Sequence, residues 1–351
     1  MRAVDLFAGL GGMSQGAILA GARVCEVYDN NPVPLKLIAA NVPGVKAVLA
    51  SLGPAADAID LPPPAPDLHL HASPPCTELS PAKSRATEDG VAAGLGMLRW
   101  ALDLFLERGD HSWSIENVST PTTRKLLAEY KQSFPNLVDY ATLDAADFGA
   151  PQTRIRLIAG PPRLIKLLHE MPSAQRVSVR EAFSAVGLDV PAQFFKNQTR
   201  NRDGTPCVRS VEEQAFTVCA SHALTWCSRE GTTLRVMNAQ ESAILMGFVS
   251  DWRLPTGSRT GQRAVGNALC VVVSKAIIQA AMAIYSGEPV PLPPATCEPT
   301  VPTPHLPPST PTPTPDRNGY RKLSKRMKRL EALLCGLQNS SQTAPLTPVE
   351  P

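Results

Sequence analysis

No part of the sequence has the pattern of a membrane span or a secretory leader. Its 351 residues contain no apolar run that approaches the roughly 20 residues needed to cross a bilayer. The N-terminus passes straight into glycine-broken sequence, without the apolar core and cleavage site of a signal peptide. Hydrophobic residues at 43% and charged residues at 19% are typical of a globular protein. We therefore expect a protein that works inside a cell without entering a membrane, in the cytoplasm or, in a eukaryotic host, in the nucleus.

Cysteine pairs of the Cys-x-x-Cys type are also absent. The eight cysteines are scattered along the chain, a distribution that argues against a disulfide scaffold. Four possible zinc ligands fall within a short span, namely Cys207, Cys219, His222 and Cys227. Their spacing matches no common zinc pattern. We therefore predict no metal site, with a structural zinc as the alternative.

The formal net charge of +3 is unevenly distributed. Residues 316 to 337 contain seven Lys and Arg residues against two acidic residues, a local charge of +5. Subtracting that value leaves −2 for the rest of the chain. If the main part binds nucleic acid, it needs a local basic groove, to which the C-terminal segment can add attraction for phosphate.

Proline is concentrated near the C-terminus. Twelve of the 27 residues from 289 to 315 are proline, which is typical of a semi-rigid linker and predicts one over 286–316. Five apolar residues then recur at four-three spacing: Leu323, Met327, Leu330, Leu334 and Leu337. This spacing predicts a basic amphipathic helix over 317–338, for nucleic-acid tethering, nuclear import or a short coiled-coil seam. Residues 339–351 are predicted to be disordered.

The N-terminal segment has the pattern of a nucleoside-binding unit. A strand over 3–7 runs into Gly9-Leu10-Gly11-Gly12, and a helix follows from about Met13. Glycines at a helix N-terminus let a ligand approach the backbone. A second strand over 23–28 ends at Asp29, where an acidic residue can bind ribose hydroxyls. The dinucleotide fingerprint fails because Ser14 stands in place of its third glycine, which disfavours a dehydrogenase.

Cys76 occupies a position suited to chemistry. An alternating apolar run over 68–72 predicts a strand, and Pro74 and Pro75 must end it because proline has no N–H for a ladder. Cys76 therefore lies at the carboxyl end of a strand, the edge where doubly wound sheets bind ligands. Position alone leaves open the alternative of an inert, buried cysteine.

Three charged residues lie at or near the ends of further strands. Glu116 falls near the end of a strand over 113–118, and Arg154 and Arg156 alternate on one face of a strand that follows a turn at 149–151. Two arginines on one strand face suit phosphate or base contacts. The alternatives are a solvated Glu and an exposed strand face.

Six short segments between residues 1 and 285 form a set. They are DLFAGLGG at 5–12, SPPC at 73–76 with Ser80, ENV at 116–118, QTRIR at 152–156, RVMNAQESAILMGF at 235–248 and VGNAL at 265–269. In this order they resemble the motifs of the cytosine-5 DNA methyltransferase family. The resemblance implies an α/β fold, a Rossmann-like doubly wound methyltransferase sheet with a small target-recognition domain and a disordered Pro-rich tail.

The resemblance also implies a division of the chain. A catalytic domain that binds S-adenosylmethionine would span 1–160, a target-recognition domain 161–234, and a return to the catalytic domain 235–285, with VGNAL on a helix to about Ile284. Within the recognition domain, the basic segment 196–206 is predicted to be a loop that either enters a DNA groove or is a solvated connection. Residues 211–226 are predicted to be strand-like.

The resemblance assigns roles to individual residues. Cys76 would add to C6 of a cytosine flipped out of duplex DNA, and Glu116 would hold or protonate N3. Arg154 and Arg156 would lower the pKa of the Cys76 thiol. Ser80 and Arg156 would contact the DNA backbone. The implied methyl donor is S-adenosylmethionine, bound by Phe7, Gly9, Gly11, Gly12, Asp29, Ser51 and Asn267.

Three positions depart from the family pattern. Asp29 stands where the family usually has Glu, Ser51 where an Asp commonly contacts the adenine amino group, and Gln240 where an Arg usually anchors a loop. These departures leave open a catalytically silent module that binds nucleic acid. A second alternative is a tRNA cytosine-5 methyltransferase, which can share the fold and the Pro-Cys and Glu-Asn-Val motifs. We expect a monomeric enzyme that acts on DNA.

Overall fold

A seven-stranded sheet is the largest element of the computed structural model, which describes residues 1–56, 59–80 and 86–289. Its strands are β1 (Arg2–Leu6), β2 (Arg23–Asp29), β3 (Lys46–Leu49), β4 (Leu68–Ala72), β5 (Trp113–Asn117), β6 (Asp139–Asp144) and β7 (Ile155–Gly160). The order across the sheet is β3-β2-β1-β4-β5-β7-β6. Strand β7 is antiparallel to both neighbours, and the other neighbouring pairs are parallel. The predicted doubly wound α/β sheet is confirmed.

Helices cover both faces of this sheet. The helices of the described residues are α1 (Gly12–Leu19), α2 (Pro32–Asn41), α3 (Glu88–Arg108), α4 (Pro121–Ser133), α5 (Pro162–Glu170), α6 (Val179–Ser184), α7 (Ala239–Leu245), α8 (Ser258–Asn267) and α9 (Val271–Ser286). Alternate strand residues enter two separate cores. Ala3 packs with residues of α1 and α9, whereas Val4 and Leu6 pack with residues of α3 and α4. Strands covered on both faces are buried throughout, as are all five residues of β4.

The carboxyl ends of β1, β4 and β5 lie side by side. Leu6 pairs in register with Ala72, and Ala72 pairs with Ile115. The loops after β1 and β4 therefore begin at the same edge of the sheet, beside Glu116 and Asn117 at the end of β5. The strand order reverses between β1 and β4, the kind of position at which open α/β sheets bind ligands.

A second, smaller sheet follows in the chain. It is antiparallel, in the order β11-β10-β8-β9, and consists of β8 (Gln193–Arg200), β9 (Pro206–Ser210), β10 (Thr225–Cys227) and β11 (Thr233–Val236). Its core is aromatic. The Trp226 ring packs edge-on against Phe194 at 6.1 Å and against Phe183 of α6 at 5.7 Å between ring centroids.

Two predictions for this region are wrong. Residues 196–206 are not a loop, because most of them belong to the β8–β9 hairpin, whose turn covers 201–205 with Gly204 at φ 85°. Strand pairing is made by the backbone, so a polar composition does not prevent it. Residues 211–226 are not strand-like, since only Thr225–Cys227 forms a strand there.

The predicted domain boundaries cut through packed elements. Helix α5 follows the boundary at 160 but packs against β6, β7 and α9, and therefore belongs with the large sheet. Strand β11 crosses the boundary at 234. The predicted linker from residue 290 onward, the basic helix over 317–338 and the last segment over 339–351 lie outside the described residues.

The VGNAL segment does not lie on a single helix to Ile284. Helix α8 ends at Asn267, Ala268 is extended, and α9 begins at Val271. Together, Ser258–Ser286 is long and apolar enough to span a membrane by length and hydropathy, and an 18-residue window within it has a mean hydropathy of 1.9. However, 67% of the apolar window is buried. The close contact between α9 and α1 identifies it as a core segment: a Cβ on Gly16 would lie 2.2 Å from Ser274 Oγ.

The four possible zinc ligands do not form a group. Cys227 is buried on β10, whereas His222 is exposed and its Nδ1 lies 2.8 Å from Ser221 Oγ. In residues 1–56, 59–80 and 86–289, no three His, Cys, Asp or Glu side chains are grouped so as to hold a metal ion.

Candidate active site

The segment after β4 holds Cys76 with few backbone hydrogen bonds. Pro74 and Pro75 have no N–H, so they cannot extend the strand, and Cys76 begins the short 3₁₀ turn Thr77–Leu79. Two contacts fix the first part of the segment. Ser73 N donates to Leu6 O at 3.1 Å, and Asn117 Nδ2 of β5 donates to Pro74 O at 3.2 Å. The nucleophile candidate is thus positioned by the ends of β1 and β5.

Glu116 and Arg156 form a buried ion pair at the same edge. Arg156 Nε lies 3.0 Å from Glu116 Oε1, and Glu116 is only 6% exposed. Burial raises the pKa of Glu116, and the charges of Arg156 and Arg154 oppose that rise. A carboxyl group of this kind binds a proton more readily than an exposed one.

The Cys76 thiol is influenced by all three charges. Burial raises its pKa, the Glu116 carboxylate raises it further, and Arg156 and Arg154 lower it. The prediction that the two arginines act to lower this pKa is correct in direction. In the free protein, burial and Glu116 outweigh the arginines, so the pKa of the Cys76 thiol lies above its ordinary value.

Arg154 differs from the prediction in its surroundings. Strand β7 begins one residue later, and Arg154 does not share an open strand face with Arg156. Its guanidinium donates to the carbonyls of Val218, Gly266 and Ala268 at 2.9, 3.0 and 3.0 Å. Burial lowers its pKa to about 10. Arg154 therefore ties the segment before β10 to the end of α8, and its guanidinium is not open to a phosphate.

The loop after β1 leaves space beside an acidic side chain. Gly9 N donates to Asp29 Oδ2 at 2.9 Å, and Asn31 N donates to Asp29 Oδ1 at 2.8 Å. Gly9 has φ 52°, and among the described residues, its two chain neighbours aside, a Cβ built on it would have only Phe7 O within 4 Å, at 3.9 Å. Phe7 is also in the left-handed region, at φ 59°, and its ring packs edge-on against Trp100 at 5.8 Å. An oriented carboxylate, an exposed backbone and an aromatic ring fit a nucleoside-like group.

The other predicted cofactor residues have different surroundings. A Cβ on Gly12 would lie 2.1 Å from Leu269 O, so close packing requires glycine there whatever the ligand. Gly11, at φ 85°, packs against Ile38 and Trp252. Ser51 is exposed and follows Ala50, whose N–H donates to Asp29 O at 3.0 Å. Asn267 is exposed at the end of α8.

Residues 1–160 match the family model described as C-5 cytosine-specific DNA methylase. Over these residues the chain is similar to the C-5 cytosine methyltransferase family. Type II methyltransferase M.HindV from Haemophilus influenzae is 25% identical over 83% of this chain and 99% of its own length. Type II methyltransferase M2.BsuMI from Bacillus subtilis is 28% identical over 78% of this chain and 74% of its own length. The solved structure of S. pombe Dnmt2 methyltransferase shares the fold, with a TM-score of 0.55 at 17% identity over 81% of this chain and 99% of that one.

The sheet edge that holds Cys76 and Glu116 also has polar residues that sequence reasoning missed. Asp5 of β1 is 2% exposed, and its Oδ2 accepts from Ser14 Oγ at 2.8 Å. Burial raises the pKa of Asp5 to about 7. Ser14 thus has a structural partner at the place where a dinucleotide fingerprint would have glycine. The available signal was a carboxyl group inside an apolar strand.

The substitution at Gln240 is compensated locally. Its Nε2 donates to Ser250 O at 2.8 Å, so the amide still anchors the loop that follows α7. The neighbouring Glu241 accepts from Trp226 Nε1 at 3.0 Å and pairs with Arg235 at 2.7 Å. An uncharged side chain therefore supplies a contact to this loop at the position where the family usually has Arg.

Proposed function

We propose that this protein transfers a methyl group to C5 of cytosine in duplex DNA, with Cys76 as the nucleophile. The observation that carries the proposal is the meeting of three groups at one sheet edge. The Cys76 thiol, the buried Glu116 carboxyl and the Arg156 guanidinium lie close enough that both charges act on the thiol's pKa. A thiol, a proton donor and a fixed cation are the groups that this reaction requires.

The chemistry begins with the cytosine ring, because C5 is a poor nucleophile while the ring stays aromatic. A bond from Cys76 Sγ to C6 turns C5 into an enamine-like carbon. Glu116, whose pKa is raised by burial, gives its proton to N3, where the negative charge of the attack collects. After methylation, water accepts the proton of C5 and the C5–H electron pair forms the C5–C6 double bond. The Sγ–C6 pair leaves with sulfur as the Cys76 thiolate, and N3 returns its proton to Glu116.

The ionisation of Cys76 is coupled to the state of Glu116. In the free protein the Glu116 carboxylate raises the pKa of the thiol, while Arg156 and Arg154 lower it. When Glu116 is protonated, its effect disappears and the two arginines continue to favour the thiolate. The protonated acid and the ionised nucleophile that the attack requires therefore stabilise each other.

The cofactor expected from the family fits the loop after β1. When bound, S-adenosylmethionine supplies the electrophilic methyl group. Asp29, held by the N–H groups of Gly9 and Asn31, would accept from the ribose hydroxyls with its remaining lone pairs. Phe7 would contact the purine, with Gly9 leaving room for the ligand. Gly11, Ser51 and Asn267 remain proposed contacts, and Gly12 acts through packing.

DNA contacts follow from the same placement. Arg156 is paired with Glu116 in the pocket, so it would meet the flipped base rather than a phosphate. Ser80, at the end of the Cys76 segment, and the β8–β9 hairpin remain the proposed contacts to the duplex. Flipping a base costs a few kcal/mol of unstacking, which such contacts would offset.

Covalent trapping tests the proposal. The purified protein is mixed with S-adenosylmethionine and duplex DNA that carries 5-fluorocytosine in many sequence contexts. Fluorine cannot leave C5 as a proton does, so the Cys76–C6 bond should persist through denaturation. We expect an adduct that maps to Cys76 by mass spectrometry, and no adduct with Cys76→Ala.

Comparing adduct formation with DNA and with tRNA separates the alternative functions. An adduct with fluorinated tRNA and none with DNA would replace the proposed substrate. Failure with both nucleic acids, together with no binding of S-adenosylmethionine, would point to a silent module. An adduct on another cysteine would refute the assigned nucleophile.

The biological setting follows from the curated relatives. Two of them are type II methyltransferases, which supports a role for this protein in DNA modification within a restriction-modification system. We expect the protein to act on DNA inside the cell, as a monomer. Sequencing the trapped DNA would give the target site.

A further inference from the structure

A chain of five polar side chains runs through the buried face of the sheet beneath the candidate site. His69 Nδ1 lies 2.8 Å from Ser112 Oγ, and His69 Nε2 lies 2.9 Å from Ser114 Oγ. The same Ser114 oxygen lies 2.8 Å from His71 Nδ1, and His71 Nε2 lies 2.8 Å from Ser73 Oγ. Both imidazoles and Ser114 are fully buried. The four contacts form a continuous line from Ser112 to Ser73.

The protons in this chain are coupled. Burial lowers the pKa of both His69 and His71 to about 3, so both rings are neutral at physiological pH and each has one donor and one acceptor. Ser114 has one proton, so it donates to one ring and accepts from the other. A continuous chain therefore requires the same tautomer in both rings, either both Nε2–H or both Nδ1–H.

The chain connects the two strands that carry the proposed catalytic groups. His71 on β4 pairs in register with Ser114 on β5. Ser114 lies two residues before Glu116, and Ser73 lies three residues before Cys76. The chain ends at Ser73, where the backbone leaves the sheet toward the nucleophile.

Two consecutive prolines explain why a side-chain contact is needed there. Pro74 and Pro75 offer no N–H, so this part of the backbone has few donors with which to hold its position. The contacts that hold it are Ser73 N to Leu6 O, Asn117 Nδ2 to Pro74 O, and the His71–Ser73 contact. Apolar residues would fill a doubly covered strand without the desolvation cost of buried imidazoles. The two histidines therefore call for a reason beyond packing.

We infer that His71 and Ser73 are positioning residues for the proposed methyl transfer. The His71–Ser73 contact fixes the base of the Cys76 segment against the strand that carries Glu116. This role rests on the proposed function, and it concerns the placement of Cys76 rather than contact with the substrate. A displacement of about 1 Å at a reacting group can lower a rate by the order of 10²-fold.

A pair of substitutions separates the two contacts of His71. In His71→Gln, the longer side chain places its amide near the Nε2 position and keeps the contact with Ser73. In His71→Asn, the amide lies near the Nδ1 position, keeps the contact with Ser114 and loses Ser73. Ser73→Ala removes the last contact from the other side, and Ser112→Ala breaks the chain at its distant end as a control.

The measurements are single-turnover adduct formation with 5-fluorocytosine DNA and methyl transfer on unmodified DNA. We expect His71→Asn and Ser73→Ala to lower kcat by about 10²-fold with KM for DNA unchanged. His71→Gln and Ser112→Ala should retain most of the rate. The double variant His71→Asn with Ser73→Ala should be no slower than either single variant, because both remove one contact. Far-UV circular dichroism and Tm confirm that each variant is folded.

Nitrogen-15 NMR of the wild-type rings provides a readout that does not depend on activity. The same ring nitrogen should carry the proton in His69 and His71. Opposite tautomers would break the chain at Ser114 and overturn the inference.

The outcomes distinguish this inference from the proposed function. A wild-type protein that forms no adduct contradicts the proposed function, whatever the tautomers are. A wild-type adduct together with full rates in His71→Asn and Ser73→Ala overturns the positioning role alone. If His71→Asn does not fold, the rate of Ser73→Ala alone tests the positioning role. Ser73 is only half-buried, so this substitution should leave the protein folded.

Discussion

At Asp5, burial disfavours the charged form of the carboxyl group. Its pKa rises from 3.8 to about 7, mainly because the carboxylate is desolvated, although Ser14 donates to it. Between these two values the folded protein binds a proton that the unfolded chain does not. Asp5 therefore contributes stability below about pH 4 that is lost as the pH rises to about 7.

Asp5→Asn should remove this pH dependence, because the amide is neutral and its oxygen can still accept from Ser14. At pH 8 we expect the variant to have a free energy of unfolding higher than wild type by the order of a few kcal/mol. The difference should shrink toward zero at about pH 4. Urea unfolding at several pH values measures this difference in free energy.

Asp203→Asn is the control, because hydrogen bonds from Thr205 lower the pKa of Asp203 and no gain in the free energy of unfolding is expected at pH 8. Equal stability of Asp5→Asn and wild type at pH 8 would contradict the assignment.

Sequence reasoning identified residues whose signal is local and missed those that depend on pairing. Cys76 could be singled out because two prolines precede it, and Glu116 because its segment matches a known motif. The partners of His69 and His71 could not be found in this way. Their contacts depend on the register of β4 and β5, which places Ser114 beside both rings. Arg154 was misjudged for a similar reason, since its carbonyl partners are 64 to 114 residues away in the chain.

At the scale of elements, the packing of α1 against the start of α9 is the tightest constraint near the site. Gly12→Ala would place a Cβ 2.1 Å from Leu269 O, and backbone atoms cannot move aside easily. We expect a loss of about 1–3 kcal/mol in the free energy of unfolding. Gly96→Ala is the matched control on α3, where a Cβ meets no atom within 4 Å of the described residues. It should stabilise the protein by about 0.4–1 kcal/mol.

Thermal and urea unfolding of the two alanine variants measure the difference. A Gly12→Ala variant as stable as wild type, but with weaker binding of S-adenosylmethionine, would show that glycine is required by the ligand and not by Leu269. The ligand-binding measurement thus decides between the two explanations of the same glycine.

Five of the seven strands of the large sheet could be predicted from the sequence, because buried strands have a distinct hydrophobic pattern. The predictions that were wrong concern elements whose local sequence signal is weak. The β8–β9 hairpin has a polar sequence and is held by backbone pairing, so its composition indicated a loop. The break between α8 and α9 begins inside VGNAL, at Ala268, without a proline, and it is held by Arg154 from a distant segment. A tertiary contact decides the structure in the second case.

At the scale of the whole molecule, the distribution of charge makes a prediction about DNA binding. The seven Lys and Arg residues of 316–337 give that segment +5, while the rest of the chain has −2. Cations that contact phosphates release counterions, and the slope of log K against log salt changes by about 0.9 for each contact. Removing residues 316–351 should therefore make this slope shallower, by at most about 6 if all seven cations contact phosphate.

Fluorescence anisotropy of the full chain and the shortened chain, measured from low to physiological salt, tests this. The site residues from Phe7 to Asn267 all lie before residue 290, so the rate of adduct formation at saturating DNA should be equal for the two chains. A variant with the seven cations of 316–337 replaced by Gln separates charge from length. An unchanged slope in both altered chains would show that the segment does not touch DNA, and the contacts proposed for Ser80 and the β8–β9 hairpin would then have to supply the whole attraction.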